Sequence, residues 1–281
     1  MSAPTGTTTR IAVAGAGGRM GRQVLAAAFA AGDSIEVTGG LVRPGSGLAG
    51  QDLGVLAGTG PRGVAASERP EEALAGADVL IDFTRAEAAV AHARAAAARR
   101  CAFLTGTTGI APEQAAAIRE QARDIPVLIA ANTSVGLAAL LRLLPALAGA
   151  LGPDYDVEVV ETHHRHKADA PSGTALAIAA LLAEATGGPL EGRAVFGREG
   201  RAPRRAGEIG VHAVRAGGAV GEHRVILASE GEQIEILHRA TSRQTYAAGA
   251  LRAATWLARQ PPGLYTMDAL LADGARVSPA V

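Results

Sequence analysis

The stretch Ile11-Ala12-Val13-Ala14-Gly15-Ala16-Gly17-Gly18-Arg19-Met20-Gly21 decides the fold. Four apolar residues read as a short buried strand, a glycine-rich turn follows at once, and good helix formers then run to Ala31. Glycines in such a turn let the backbone approach a pyrophosphate, while the unpaired N–H groups at the helix start donate to it. Gly15 and Gly17 occupy the first two positions of the dinucleotide fingerprint; the third is Met20, and the next glycine falls at Gly21. A bare glycine turn is only a tight turn, but strand, turn and helix in this order favour a dinucleotide.

Outward from this point, apolar runs at Ile35–Val42, Val79–Phe83, Ala102–Thr105 and Val127–Ala130 alternate with helical stretches at Ala86–Arg99 and Pro112–Arg123. That alternation predicts α/β architecture with a Rossmann-type, doubly wound parallel sheet. The Gly-rich segment Pro44–Gly63 is long for a connection and reads as a mobile loop. After Asn132 the pattern changes. A Leu-rich helix over Gly136–Leu151, with a kink expected at Pro145, leads to a strand at Asp156–Thr162 and a helix at Thr174–Thr186. Three β-like runs at Ile209–Arg215, Glu222–Ala228 and Gln233–His238 read as an antiparallel meander, and a last helix spans Gln244–Arg259. The expected division is a dinucleotide-binding domain over residues 1–134 with 243–281, joined by the last helix, and an α+β substrate-binding and oligomerisation domain with a mixed sheet over 135–242.

Composition narrows the classes. The chain has 281 residues, 48% hydrophobic and 19% charged, enough to bury a full core. With 27 Lys+Arg against 27 Asp+Glu and 3% aromatics, no surface for neutralising phosphates and stacking bases is expected. A lone cysteine, Cys101, excludes an intrachain disulfide and Cys-based zinc sites, and reads as core. The most apolar stretch, Val135–Leu151, contains Arg142 and Pro145, so no membrane span is expected. The polar, Thr-rich start, Met1–Arg10, has no signal-peptide core, which predicts a cytoplasmic protein.

The sharpest chemical signal is Glu161-Thr162-His163-His164-Arg165-His166-Lys167-Ala168-Asp169-Ala170-Pro171-Ser172-Gly173-Thr174. Five consecutive residues that can carry positive charge lie between a strand and a helix start, itself an anion site, so the segment suits a small dianion such as a dicarboxylate. Crowded cations lower one another's pKa, which makes His163 or Lys167 a candidate proton donor. The competing readings are a metal site and a structural histidine cluster. Adjacent histidines do not easily face one ion, and the flanking cations repel it, so no metal is expected.

Where a ribose-reading acid is expected, the sequence has Leu41-Val42-Arg43; Arg43 suits a 2′-phosphate and points to NADPH over NADH. Gly106-Thr107-Thr108-Gly109 and Ala130-Ala131-Asn132-Thr133-Ser134 follow strand ends, where ligands bind in open α/β sheets.

Taken together, Gly15–Gly21, Ile81-Asp82-Phe83-Thr84, Gly106-Thr107-Thr108, Ala130–Ser134, Glu161–Thr174, Ile209-Gly210, Val214-Arg215-Ala216-Gly217 and Gly221-Glu222-His223 resemble the dihydrodipicolinate (4-hydroxy-tetrahydrodipicolinate) reductases of lysine and diaminopimelate synthesis. The resemblance runs nearly end to end. It implies NAD(P)H-dependent reduction of a cyclic dicarboxylate. His163 would then be the general acid/base and Lys167 the proton donor, with His164, Ser172, Gly173 and Thr174 binding the substrate carboxylates. Gly15, Ala16, Gly17, Gly18, Arg19, Met20, Arg43, Gly106, Thr107, Thr108, Ala130, Ala131, Asn132 and Thr133 would line the cofactor. It also implies a homotetramer assembled through the second-domain sheets. The chain departs from the family pattern at Val42, where dual-cofactor members often carry an acid, and at Thr133, where an aromatic is common. Two alternatives stay open on the residues alone: a non-catalytic NAD(P) sensor, and a nicotinamide enzyme acting on another dicarboxylate.

Overall fold

The computed structural model describes residues 8–274; Met1–Thr7, which include most of the polar start, and residues 275–281 lie outside the described residues. The chain divides into two units, one running to Val135 and resuming at Gln244, the other spanning Gly136–Arg243.

In the first unit, β1 (Thr9–Ala14), β2 (Ile35–Leu41), β3 (Ala66–Ser67), β4 (Val79–Asp82), β5 (Ala102–Thr105) and β6 (Pro126–Ile129) are joined by a late strand, β12 (Gly263–Tyr265). They form a seven-stranded sheet in the order β12-β6-β5-β4-β1-β2-β3, with every pairing parallel. Strands buried on both faces read as continuous apolar runs, and Ile11–Ala14, Val79–Asp82 and Ala102–Thr105 are fully buried. The connecting helices are α1 (Arg19–Ala30), α2 (Leu53–Ala57), α3 (Pro70–Ala73), α4 (Ala86–Ala98) and α5 (Pro112–Glu120). The order reverses between β1 and β4, and the crevice beyond their carboxyl ends is where such sheets bind ligands.

In the second unit, α6 (Val135–Leu151, whose first residue ends the first unit) is followed by β7 (Asp156–His163), α7 (Gly173–Ala185), β8 (Ala194–Phe196), β9 (Ile209–Arg215), β10 (Gly221–Ala228) and β11 (Gln233–Ala240). The sheet order is β11-β10-β7-β9-β8. The expected meander is therefore corrected: β10 and β11 form an antiparallel hairpin, but β9 does not pair with β10. Strand β7 lies between them, antiparallel to β10 and parallel to β9, so the sheet is mixed. Leu137, Leu144, Ile178 and Leu182 of α6 and α7 pack on Val157, Val159, Val211, Val225 and Leu227 of one sheet face.

α8 (Gln244–Leu257) returns to the first unit and packs against α1, β4 and β5 through a face of Ala247, Gly249, Ala250, Ala253 and Ala254. Close approach explains these small residues: a Cβ on Gly249 would lie 1.8 Å from the Thr133 carbonyl oxygen. The terminal α9 (Met267–Gly274) is tied to α8, the Trp256 indole N–H donating to Asp273.

Pro44–Gly63 contains α2, and the Asp52 carboxylate accepts the backbone N–H groups of Gly54, Val55, Arg62 and Gly63. Pro145 lies inside α6.

Candidate active site

The glycine turn after β1 is built by close approach. Gly15 has φ +78°, and a Cβ there would meet the Phe83 carbonyl oxygen, just beyond β4, at 2.5 Å. A Cβ on Gly21 would sit 2.0 Å from the Gly15 oxygen, so α1 can start this near the strand only with glycine at that position. The N–H groups of Gly15 and Ala16 donate to the Leu41 carbonyl, at 2.9 and 3.1 Å. These two amides therefore hold the loop to β2. Gly18, exposed at the N-cap of α1, supplies no side-chain cap to the first-turn N–H groups. An uncapped first turn with the helix dipole behind it fits a pyrophosphate.

At the end of β2, Val42 is buried and donates its N–H to Ser67, while Arg43 is exposed and pairs with no carboxylate among the described residues. The loops after β4 and β5 are knitted by Asp82, fully buried, which accepts from Thr84 Oγ1 at 2.6 Å, Thr107 Oγ1 at 3.2 Å and Thr105 Oγ1 at 3.3 Å. His92 Nδ1 lies 3.3 Å from the same carboxylate. Thr107 Oγ1 in turn accepts the Thr84 N–H. Gly106 is shaped by Phe83, whose ring would meet a Cβ at 2.1 Å; Thr108 is exposed.

After β6, Ala130 is buried and Ala131 exposed, and Asn132 Oδ1 accepts the Ser134 N–H. The Thr133 hydroxyl is committed inward, donating to the Tyr246 carbonyl at 2.7 Å. Cys101 is buried beside Phe103, and burial pushes its thiol up to about 12, an unreactive core residue.

In the second unit, the two-residue alternation of β7 puts Val157, Val159, Glu161 and His163 on the buried face, apolar at one end and ionisable at the other. Register supplies their neighbours: Arg215 of β9 lies opposite His163, His223 of β10 opposite Glu161, and His238 of β11 opposite His223. Glu161, fully buried, receives donors on both oxygens. Arg215 binds it bidentately at 2.8 and 2.8 Å, the Ser172 N–H donates at 2.9 Å, and His163 Nδ1 lies 2.5 Å from Oε2. Burial pushes this carboxyl up, but Arg215, His163 and the Ser172 N–H outweigh it and hold it below the ordinary carboxylate range.

Ser172 is the N-cap of α7; its Oγ accepts the Ala175 N–H at 3.1 Å and lies 3.3 Å from His223 Nε2. Burial, then His163 and His238, push His223 down to about 4, so it is neutral near pH 7. Its ring meets His163 edge-on at 5.3 Å and stacks on His238 at 6.3 Å. Gly173, first in α7, is exposed, and a Cβ on it would meet nothing within 4 Å. Thr174 and His164 are half-buried nearby in the chain. Lys167 is bound to Asp169 at 2.7 and 2.8 Å.

Within the run, His163 thus contacts Glu161 and Lys167 pairs with Asp169. Sequence reading missed Glu161, Arg215, His223 and Asp82 as site components. Alternation along β7 joins Glu161 to His163, but cross-strand register is invisible in a linear sequence. Among the described residues, no group of three His, Cys, Asp or Glu is placed to hold a metal. Nor is any helix long and apolar enough to cross a membrane.

A parallel sheet with a glycine-cradled, uncapped helix start belongs to the Rossmann-type, nicotinamide-dependent oxidoreductases, here carrying a mixed-sheet unit with its own acid–base cluster. The chain belongs to the dihydrodipicolinate reductase family: the family's N-terminal model matches residues 9–133 and its C-terminal model residues 136–271. The 4-hydroxy-tetrahydrodipicolinate reductase of Rubrobacter xylanophilus is 50% identical over 264 residues, 94% of this chain and 98% of the relative. That of Myxococcus xanthus is 49% identical over 265 residues, 93% and 97% of the two chains. Among solved structures, a dipicolinate-bound dihydrodipicolinate reductase from Paenisporosarcina sp. TG-14 superposes with a TM-score of 0.71 at 25% identity, covering 92% of this chain and 97% of that one. An amine dehydrogenase from Mycobacterium smegmatis, 14% identical with a TM-score of 0.63 over 94% and 96%, shares the fold.

Proposed function

We propose that this chain reduces 4-hydroxy-tetrahydrodipicolinate, by way of dihydrodipicolinate, to tetrahydrodipicolinate, as the names of its relatives suggest for a family member. The observation that carries the reading is the His163–Glu161 pair at the end of β7, tied through the Ser172 N–H to the start of α7. A cyclic dicarboxylate needs an anion-binding helix tip and a proton source side by side, and this segment supplies both.

When bound, the reduced nicotinamide supplies the hydride. Gly17, Gly18, Arg19 and Met20 hold its pyrophosphate, with Gly15 and Ala16 fixing the turn. Gly106, Thr107, Thr108, Ala130, Ala131, Asn132 and Thr133 shape the rest of the cofactor site. Arg43, without a carboxylate partner, favours the 2′-phosphate of NADPH, with NADH the weaker cofactor. His164, Ser172, Gly173 and Thr174 orient the substrate carboxylates, and their positive field stabilises the negative charge that builds on the ring. Because Glu161 accepts at Nδ1, His163 works through Nε2, as general acid/base; Lys167, released from Asp169, delivers the proton to the reduced ring.

The division of labour is residues 1–134 with 243–281 for the cofactor and 135–242 for substrate and assembly, a reading supported by the two units divided at Val135 and Gln244. A homotetramer is supported by the sheet face opposite α6 and α7, where Val214 and Leu237 are exposed. A cytoplasmic location suits a thiol-bearing biosynthetic enzyme drawing on reduced nicotinamide.

The test is a coupled assay: the product of dihydrodipicolinate synthase is offered with NADPH and NADH in parallel, and absorbance loss is followed. Turnover with both, faster with NADPH, is expected; no turnover with either cofactor rejects the reading.

A further inference from the structure

In the second unit the carboxylate of Glu161 is fully buried. Glu161 is ringed by four donors from three places in the chain: Arg215 twice, from β9; His163, two residues on; and Ser172, at the cap of α7. A carboxylate has about four acceptor sites, and here all are taken. Arg215 keeps Glu161 an ion, and an ionised carboxylate only accepts, so the proton in the 2.5 Å contact belongs to His163 Nδ1. In the neutral ring this leaves the lone pair on Nε2, which has no hydrogen-bond partner among the described residues. The same carboxylate grips the Ser172 N–H, whose residue caps α7. One side chain therefore sets both the tautomer of the imidazole and its distance from the helix tip.

We propose that Glu161, locked by Arg215, is a positioning residue for the reaction: it holds His163 as the Nδ1–H tautomer and keeps that imidazole in register with the carboxylate-binding start of α7. This rests on the functional reading above. The other titratable or charged groups around the pair are His223 from β10 and Lys167 with Asp169 from the loop. His223 makes no hydrogen bond to Glu161; it bonds Ser172 instead. Glu161 is thus the one carboxylate in contact with the His163 ring among the described residues.

The experiment is nitrogen-15 NMR of histidine-labelled full-length protein, with His163→Ala to assign the resonance, read beside turnover, NADPH affinity and thermal unfolding. In the unsubstituted protein His163 shows a low-field Nδ1 proton and, in its neutral form, an unprotonated Nε2; a proton on Nε2 alone overturns the proposal, whatever any variant does. Glu161→Gln is expected to lose the low-field proton and to lower kcat about 100-fold, at the low end of what a placed acid–base group contributes. NADPH affinity stays within twofold. Glu161→Asp keeps the charge and recovers part of both signals, and it stands in if Glu161→Gln does not fold. Unchanged kcat in Glu161→Gln, or equal losses of kcat, NADPH affinity and melting temperature, reduces Glu161 to a structural residue and overturns the proposal. Full turnover by His163→Ala would reject the functional reading instead, while the Nδ1 resonance of the unsubstituted protein still reports the tautomer.

Discussion

The Asp82 carboxylate and the Thr107 hydroxyl lie 3.2 Å apart in the buried end of the parallel sheet, bridging the loops that follow β4 and β5. Thr107 passes the connection on by accepting the Thr84 N–H at 2.9 Å. Asp82→Asn keeps the shape but brings an NH2 group among hydroxyls that now donate to the carboxylate. It should cost about 1–3 kcal/mol in urea unfolding. If these loops shape the cofactor site, the KM for NADPH should rise more than kcat falls. An unchanged KM would detach the loops from the cofactor.

Gly21→Ala tests the start of α1. Its Cβ would lie 2.0 Å from the Gly15 oxygen, a backbone atom that cannot rotate away. Overpacking usually costs about 1–3 kcal/mol, and a clash with backbone should reach the top of that range. Nucleotide binding by calorimetry should weaken at least tenfold. Gly173→Ala is the contrast, because its Cβ meets nothing within 4 Å. Melting should stay within a degree or two while the KM for the dicarboxylate rises, and a marked loss of stability with unchanged KM would contradict the assigned role.

Arg43→Ala separates the two cofactors. The side chain is exposed and pairs with no carboxylate among the described residues, so its loss should leave stability alone. Removing one charged contact to a phosphate should weaken NADPH by about 10- to 100-fold, equivalent to about 1.5–3 kcal/mol. NADH should change little. Equal losses in both would remove the 2′-phosphate role.

Acid stability should follow His223 and Glu161. Burial, aided by His163 and His238, lowers His223 from 6.5 to about 4. Between those values the unfolded chain binds a proton that the folded one refuses, so stability falls as pH drops through this window, by about 3 kcal/mol. Glu161 acts in the same direction lower down: with its carboxyl held below the ordinary range, its contribution persists above the unfolded value and is lost as pH falls through the folded one. His223→Gln should flatten the limb between pH 6.5 and 4 in urea titrations while leaving the more acidic limb. A curve of unchanged slope would show that His223 is accessible to protons in the folded state.

Much of this molecule was legible because it rests on local rules. The strand, glycine turn and helix from Ile11 through Ala30 follow from apolar runs and turn chemistry, and the parallel sheet follows from their repetition. The run from Glu161 to Thr174 announced acid–base chemistry by composition. Composition did not show the pairing within it, in which Glu161 contacts His163 and Asp169 binds Lys167. The meander failed for a related reason. Short turns such as Gly217–Gly218 suggest hairpins, but β7 pairs with both β9 and β10, and hydrogen bonds available to a strand edge carry no mark of sequence distance.

By itself, then, the sequence determined where helices and strands begin, which turns require glycine, and which segments carry ionisable chemistry, because steric freedom and periodicity act within a few residues. Only the tertiary structure decided that Arg215 and Ser172 converge on Glu161, that His223 comes against Ser172 and that Thr107 anchors on Asp82. Those meetings join residues 11 to 54 positions apart, and sheet register and burial, set by the whole core, bring them within reach.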